Sequence, residues 1–356
     1  MQEAGVVIGL LAFFPMFLSI GCGRWIDRAG SRRPVLAGGA LVAADMAVPF
    51  AFPAAQFGLV TLAIGCSLVG IGVMVVMVLV QRLIGFASTN SNRLANFAWQ
   101  STAMAASGFI SPVLSGIIID HAGYRFAFGF GAVVSVAGLL ITIASLRRLP
   151  ASWEGRAAAQ SKGGSLALLG VPRLRNVLLV SALVFMAWDL QTFMFPVYGR
   201  AVGFSATEIG WLVGAFFSAS FIVRFLTPFL ARRFREWQFL TGVLVLGSTS
   251  YFGFPFFTAF PPPFACAFVL GLGLGASQPN VMSLLQTESP AGRADEAIGI
   301  RTMLTSLCHA VLPAGFGALA GLFGPFWIFM AMASLMGGAA IAIRFRNRSG
   351  DGGGAA

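Results

Sequence analysis

Residues 57–80 read FGLVTLAIGCSLVGIGVMVVMVLV and contain no charged side chain. A helix needs about 20 mostly apolar residues to cross the roughly 30 Å hydrocarbon core of a bilayer. The stretch therefore predicts a transmembrane helix. Apolar blocks of the same kind recur on both sides of it along the chain.

The composition of the whole chain fits a protein that lies largely within a membrane. Of its 356 residues, 57% are hydrophobic and 10% are charged, whereas soluble domains carry about 25% charged residues. We predict an all-α membrane protein with eleven transmembrane helices, in the blocks 5–23, 35–52, 57–80, 95–118, 126–146, 176–199, 207–229, 238–258, 262–284, 297–321 and 324–343.

The basic residues predict the orientation of these helices. Most of them fall near alternate ends of the blocks, and these are Arg24, Arg28, Arg32, Arg33, Arg82, Arg93, Arg147, Arg148, Arg156, Lys162, Arg173, Arg175, Arg232, Arg233, Arg235, Arg293, Arg301, Arg344, Arg346 and Arg348. The opposite side has only Arg125 and Arg200. The positive-inside rule makes the first group cytoplasmic, and with it the C-terminus. The net charge of +11 thus orients the protein and does not indicate nucleic-acid binding.

The longest polar stretch divides the chain into five blocks and six. We predict a first helical bundle at 1–147, a cytoplasmic linker at 148–175, a second bundle at 176–346 and a disordered tail at 347–356. With eleven helices and the C-terminus inside, Met1 would lie outside.

The two halves repeat one another. A shift of 201 residues superposes Gly70 on Gly271, Gly72 on Gly273, Pro112 on Pro313, Gly116 on Gly317, Gly123 on Gly324 and Phe128 on Phe329. Parallel repeats of helical bundles build one large class of secondary transporters, which bind substrate between the halves. The second half has six blocks and the first has five, so we expect one helix to be missing before Met1.

A short polar loop follows the first block. Residues 23–36 read GRWIDRAGSRRPVL. They resemble the signature loop of the major facilitator superfamily, a G-x-L-a-D-R-x-G-R-R pattern between its second and third helices. The matching residues are Gly23, Asp27, Arg28, Gly30, Arg32 and Arg33; Trp25 and Ser31 depart from the pattern. The resemblance implies two pseudo-symmetric bundles with twelve helices in total. We expect the first of these twelve helices to be missing from this sequence.

In that family the loop is thought to hold the cytoplasmic side closed. By resemblance, Asp27 and Arg28 would be latch residues, with Arg82 as a possible partner, because an Asp among Arg residues forms charge-assisted contacts. The alternative is a solvated basic turn that only fixes topology.

The block at 95–118 resembles the fifth helix of exporters of that family, which carries G-x8-G-x3-G-P-x2-G-G. Small residues and the proline are kept, at Ala98, Ser107, Ser111, Pro112, Ser115 and Gly116. The resemblance favours the antiporter, efflux-type branch, and the alternative is a helix that is merely tightly packed. Proton-coupled members of the family often carry an R-x-x-q-G-x-G pattern, which aligns with Cys66 to Gly72 here. This chain has the two glycines of the pattern, Gly70 and Gly72, but not its Arg or Gln.

Polar residues within the blocks are candidate site residues, because an ionisable group at the bilayer centre costs at least about 2.5–3.5 kcal/mol. Asp189 is the strongest candidate for taking up a proton or pairing with a cationic substrate, or else it is structural. Trp188 and Gln191 flank it. The further candidates are Asp45, Gln278, Asn280 and His309, with a structural role favoured for Asp45.

The chain shows no catalytic or metal-binding motif, and we expect neither an enzyme nor a cofactor. We predict a monomeric secondary transporter of the inner membrane, which couples proton movement to the efflux of small amphipathic, drug-like compounds. The alternatives are an uptake permease for a small organic metabolite and a degenerate receptor that does not transport.

Overall fold

The computed structural model describes residues 14, 18, 22, 25, 26, 29–53, 56, 58–87, 93–146, 170–234, 236–290 and 293–350. Ten long helices lie within these ranges: α1 (Arg32–Ala51), α2 (Leu59–Ala87), α3 (Arg93–Ala122), α4 (Tyr124–Ser145), α5 (Pro172–Val202), α6 (Ala206–Arg233), α7 (Glu236–Gly253), α8 (Pro261–Glu288), α9 (Ala294–Phe323) and α10 (Pro325–Gly350). A 3-10 turn, Phe254–Phe256, follows α7.

The described part of the chain contains only helices, which confirms the all-α prediction. Among the described residues, nine helices are long and apolar enough to cross a membrane. Because nine such helices are present in the described ranges, the protein is a multi-pass membrane protein. The predicted block at 5–23 falls almost wholly outside the described residues, so the count of eleven stays a prediction.

Several helix ends differ from the predicted boundaries, and two of them extend into the predicted linker and tail. α5 begins at Pro172 and not at residue 176, because proline is well placed in a first helical turn and the polar side chains of that turn do not lower helix propensity. α10 continues to Gly350, through residues 347–350 of the predicted tail. Most of the predicted linker lies outside the described residues.

By its contacts the chain divides into two compact units. The first unit spans Met1–Ser101, Ile117–Gln160 and His309–Gly317, and the second spans Thr102–Gly116, Ser161–Cys308 and Ala318–Ala356. In the first unit α1 packs against both α2 and α4. In the second unit α7 packs against both α8 and α10, and α8 packs most extensively against α6.

The internal repeat is visible in these packings. α1 and α7 occupy equivalent places in the repeat, and each packs on the two helices that the repeat makes equivalent. Gly123, between α3 and α4, has φ 88° and ψ 168°, and Gly324, between α9 and α10, has φ 79° and ψ 166°. Only glycine adopts this conformation without strain. The same shift of sequence thus relates two glycines with the same backbone geometry.

Glycines also set the closest helix contacts of the second unit. A Cβ at Gly271 would lie 2.2 Å from the carbonyl oxygen of Phe216, and one at Gly275 would lie 2.5 Å from Cα of Ser220. The Ser220 hydroxyl shares its proton between the Phe216 carbonyl oxygen of its own helix, at 2.8 Å, and the Gly271 carbonyl oxygen, at 3.1 Å. The run Gly271-x-Gly273-x-Gly275 therefore packs α8 closely against its neighbours, as membrane helices do with small residues.

Candidate functional site

Asp189 lies in the middle of α5 and is 7% exposed. Its carboxylate is close enough for its charge to act on the Tyr251 hydroxyl of α7 and the Cys308 thiol of α9. The hydroxyl of Tyr251 donates a hydrogen bond to the main-chain oxygen of Ala187, which anchors α7 to α5 two residues before Asp189. The second unit thus holds a carboxyl group among three helices.

The residues that flank Asp189 have different surroundings. The Trp188 ring packs edge-to-face on Phe216 and Phe217 of α6, with centroids 4.8 and 6.0 Å away. Gln191 is fully buried and donates through Nε2 to the Thr192 hydroxyl at 2.8 Å. Residues two apart on a helix point to nearly opposite faces. The structure therefore does not bring Asp189 and Gln191 onto one surface.

Arg301 is a buried cation within a helix. The sequence places it among the basic residues that predict the cytoplasmic side, and the structure shows that it lies inside α9 and is 9% exposed. Its Nε donates to the Ser181 hydroxyl of α5 at 2.8 Å, and its Nη2 donates to Oε1 of Gln278 of α8 at 2.6 Å. Position 301 falls within the predicted block 297–321, so the rule applied to Asp189 would have found it.

Gln278 and Asn280 are two residues apart on α8 and have separate partners. Gln278 accepts from Arg301, as described. Asn280 donates through Nδ2 to the main-chain oxygen of Glu236, at the start of α7, at 2.9 Å. The structure thus brings Gln278 into the Arg301 group and places Asn280 at the contact between α7 and α8.

Asp45 is buried in the first unit, at 3% exposure, on α1. Its charge acts on the Cys66 thiol of α2, and its Oδ1 has no hydrogen-bond partner among the residues that the structure describes. His309 lies in α9, and its side chain is outside the described part of the chain.

Part of the predicted latch can be placed. Gly30 has φ 72° in the turn before α1, where a side chain would be strained, and Arg32 and Arg33 are exposed at the start of that helix. Gly23, Asp27 and Arg28 lie outside the described residues, as does the side chain of Arg82. The latch remains a prediction.

Two residues of the small-residue pattern of α3, Pro112 and Gly116, lie against the start of α6. A Cβ at Gly116 would be 2.4 Å from the carbonyl oxygen of Ala206, and one at Gly210 would be 2.4 Å from the carbonyl oxygen of Pro112. Ser111 is exposed, and its hydroxyl is 3.5 Å from that of Ser107. Gly116 and Pro112 therefore sit at a close backbone contact, and Ser111 does not.

Known proteins of similar structure are transporters. A POT family transporter in complex with 5-aminolevulinic acid has a TM-score of 0.73, with 12% identity, 97% of this chain covered and 86% of that chain. A POT family transporter in complex with a thioalcohol-conjugated peptide has a TM-score of 0.74, with 13% identity, 98% of this chain covered and 88% of that chain. At these identities the likeness establishes the fold alone.

Sequence similarity points to the same class. The inner membrane transport protein YajR of Escherichia coli (strain K12) is 25% identical over 353 residues, which cover 93% of this chain and 72% of YajR. The profile of the Major Facilitator Superfamily matches residues 1–313 and 177–355. Together these matches cover nearly the whole chain, which therefore belongs to the major facilitator superfamily.

Proposed function

We propose that this protein exchanges protons for small amphipathic molecules and moves those molecules out of the cytoplasm. Transport across a membrane is the general function of its family and of its structural neighbours. The proton coupling, the direction and the substrate class are our proposals. The observation that carries them is Asp189, a carboxyl group in α5 that is 7% exposed.

A buried carboxyl group suits proton coupling for an electrostatic reason. The ionised form is costly in an apolar setting, whereas the protonated form is neutral. A change in hydration during the transport cycle would then drive uptake or release of a proton at this group. Alternating access supplies such a change, because it exposes a mid-membrane site to each side in turn.

The surroundings of Asp189 suit an amphipathic ligand. Trp188, Phe216 and Phe217 form a group of aromatic rings on the neighbouring face of α5. Aromatic side chains offer large apolar surfaces to the apolar part of such a ligand. The small residues that α3 shares with exporters support the outward direction. The positive-inside rule and the inner-membrane relative support a place in the inner membrane with the C-terminus in the cytoplasm.

Uptake of a small organic acid is the second candidate. The observation that favours it is Arg301, a buried cation of the second unit. A non-transporting receptor is the third, and it predicts no movement of substrate under any gradient.

Inside-out membrane vesicles test the proposal and the direction of transport together. Respiration acidifies the lumen of such vesicles, so a proton-coupled exporter would carry substrate inward and dissipate the pH gradient. The host strain should lack its own drug exporters. Ethidium and 2-naphthalenesulfonate are suitable probes, because each keeps its charge at all working pH values and carries no protons itself.

The matched variants are Asp189→Asn and Asp45→Asn, each of which removes a buried carboxylate from one unit. We expect wild type and Asp45→Asn to dissipate the gradient on addition of at least one probe, and Asp189→Asn to do so at least tenfold more slowly. Folded Asp189→Asn protein with wild-type rates would refute the role of Asp189. Absence of any response in wild type would refute the exporter proposal.

A further inference from the structure

Arg301 carries a positive charge in the interior of the second unit. Its two hydrogen-bond partners, Ser181 and Gln278, are neutral. It forms an ion pair with none of the carboxylates that the structure describes. A buried charge is costly unless an opposite charge or a full set of hydrogen bonds compensates it. Among the residues that the structure describes, the partners of this guanidinium are thus neutral and supply no opposite charge.

The two partners fix the orientation of the guanidinium. Ser181 on α5 holds Nε, and Gln278 on α8 holds Nη2, so the group is tied to two helices besides its own. A guanidinium carries five N–H donors in one plane. The edge formed by Nη1 and Nη2 therefore keeps donors beyond those used by Ser181 and Gln278. That edge matches the two oxygens of a carboxylate, which binds guanidinium with paired hydrogen bonds.

A purely structural role for Arg301, in which it only joins α5 and α8 by hydrogen bonds, explains this arrangement less well. A neutral side chain such as Gln could join Ser181 and Gln278 by hydrogen bonds without a buried charge. The charge is useful when its partner arrives with a ligand. The side chain also keeps a small exposed fraction, 9%, so it is not sealed from its surroundings.

We propose that Arg301 binds a carboxylate of the transported molecule, with Ser181 and Gln278 as positioning residues. This inference rests on the proposed transport function and narrows its substrates to amphipathic organic acids. The aromatic rings around Trp188 lie on the same helix, α5, as Ser181. An apolar group and a carboxylate on one ligand would thus find both kinds of partner in the second unit.

Equilibrium binding to the purified full chain in detergent tests this inference. The probes are 1-naphthoate and 1-naphthamide, which have nearly the same shape and differ in charge. Isothermal titration calorimetry measures both affinities at neutral pH and low salt. We expect wild type to bind 1-naphthoate at least tenfold more tightly than 1-naphthamide. Equal affinities, or no binding of 1-naphthoate, would overturn the proposal.

Two variants assign the preference to Arg301. Arg301→Gln removes the charge and keeps hydrogen-bond donors, and we expect it to abolish the preference. Gln278→Glu keeps Arg301 but places a carboxylate beside Nη2, so it would compete with the ligand and abolish the preference without removing the cation. Arg233→Gln, which removes an exposed arginine from the end of α6, is the control and should behave as wild type. Retention of the preference in Gln278→Glu would overturn the assignment, even if Arg301→Gln does not fold.

Binding in detergent needs neither a gradient nor coupling, so its result is separate from that of the vesicle assay. Proton exchange in vesicles without a preference for 1-naphthoate would leave the transport function intact and remove the carboxylate site. A preference for 1-naphthoate without proton exchange would support the carboxylate site and refute the exporter proposal.

Discussion

The close contact between α6 and α8 predicts the effect of adding one methyl group at Gly271. The new Cβ would lie 2.2 Å from the Phe216 carbonyl oxygen, whereas carbon–oxygen contacts between helices are about 3.3–3.6 Å. The obstacle is a backbone atom, which cannot move aside alone, so the helices must separate by roughly 1 Å. The separation also stretches the hydrogen bond from Ser220 to the Gly271 carbonyl.

The magnitude follows from three terms. Overpacking of this kind costs about 1–3 kcal/mol, and weakening one hydrogen bond costs up to about 0.5–1.5 kcal/mol. Alanine in place of glycine within a helix returns about 0.5–1 kcal/mol. Gly271→Ala should therefore lower the free energy of unfolding by about 0.5–4 kcal/mol. At about 2–4 °C per kcal/mol, the melting temperature should fall by roughly 1–16 °C.

Thermal unfolding can be followed through the cysteines that the chain already contains. Cys266 and Cys308 are partly buried in the second unit, so a thiol-reactive fluorophore reports their exposure as the detergent-solubilised protein is heated at a fixed scan rate. Gly242→Ala is the matched control, since a Cβ at Gly242 of α7 would meet nothing within 4 Å. We expect this control to melt at or slightly above the wild-type temperature. Equal melting of Gly271→Ala and Gly242→Ala would refute the reasoning.

Substitutions at three further positions test other features of the fold in the same melting assay. Ser220→Ala removes a buried hydroxyl that donates to α8 and should cost about 0.5–1.5 kcal/mol, whereas an unchanged melt would show that this bond contributes nothing. Tyr251→Phe keeps the ring and loses the bond to the Ala187 carbonyl, so a loss of similar size is expected, and a melt equal to wild type would count against that bond. Gly30→Val should destabilise the turn before α1 by about 1–2 kcal/mol and Gly30→Asn by less, because asparagine tolerates positive φ; the reverse order would contradict the φ of 72°.

The sequence predicts those parts of this protein that follow from local composition. Apolar blocks locate the helices, since each must satisfy its backbone internally within a membrane. The repeat was visible because Gly123 and Gly324 serve a backbone conformation that other residues cannot adopt without strain. Helix ends were less predictable, because hydropathy does not register polar first turns such as the one after Pro172.

The Arg301 group was not predicted because it depends on distant partners. Ser181 is 120 positions away in the chain and Gln278 is 23 positions away. The topology count treats every arginine near the end of a block as a loop residue. Whether such an arginine is buried depends on which face of the helix it occupies. Likewise, proximity along the chain grouped Asp189 with Gln191, although the helix turns them apart.

Asp189 and Arg301, two buried ionisable residues of the second unit, have their interaction partners at different places along the helices. Asp189 acts on Cys308, which is seven residues from Arg301 along α9, or roughly 10 Å at the rise of an α-helix. Ser181, which holds Arg301, is likewise separated from Asp189 by about 12 Å along α5. Had these groups evolved only to stabilise the bundle, a direct ion pair would compensate both charges at once. Under our proposals, Asp189 exchanges a proton and Arg301 binds an anionic group, each at its own place in the bundle. On the proposed function, the carboxyl group then sets the coupling and the guanidinium sets the choice of substrate.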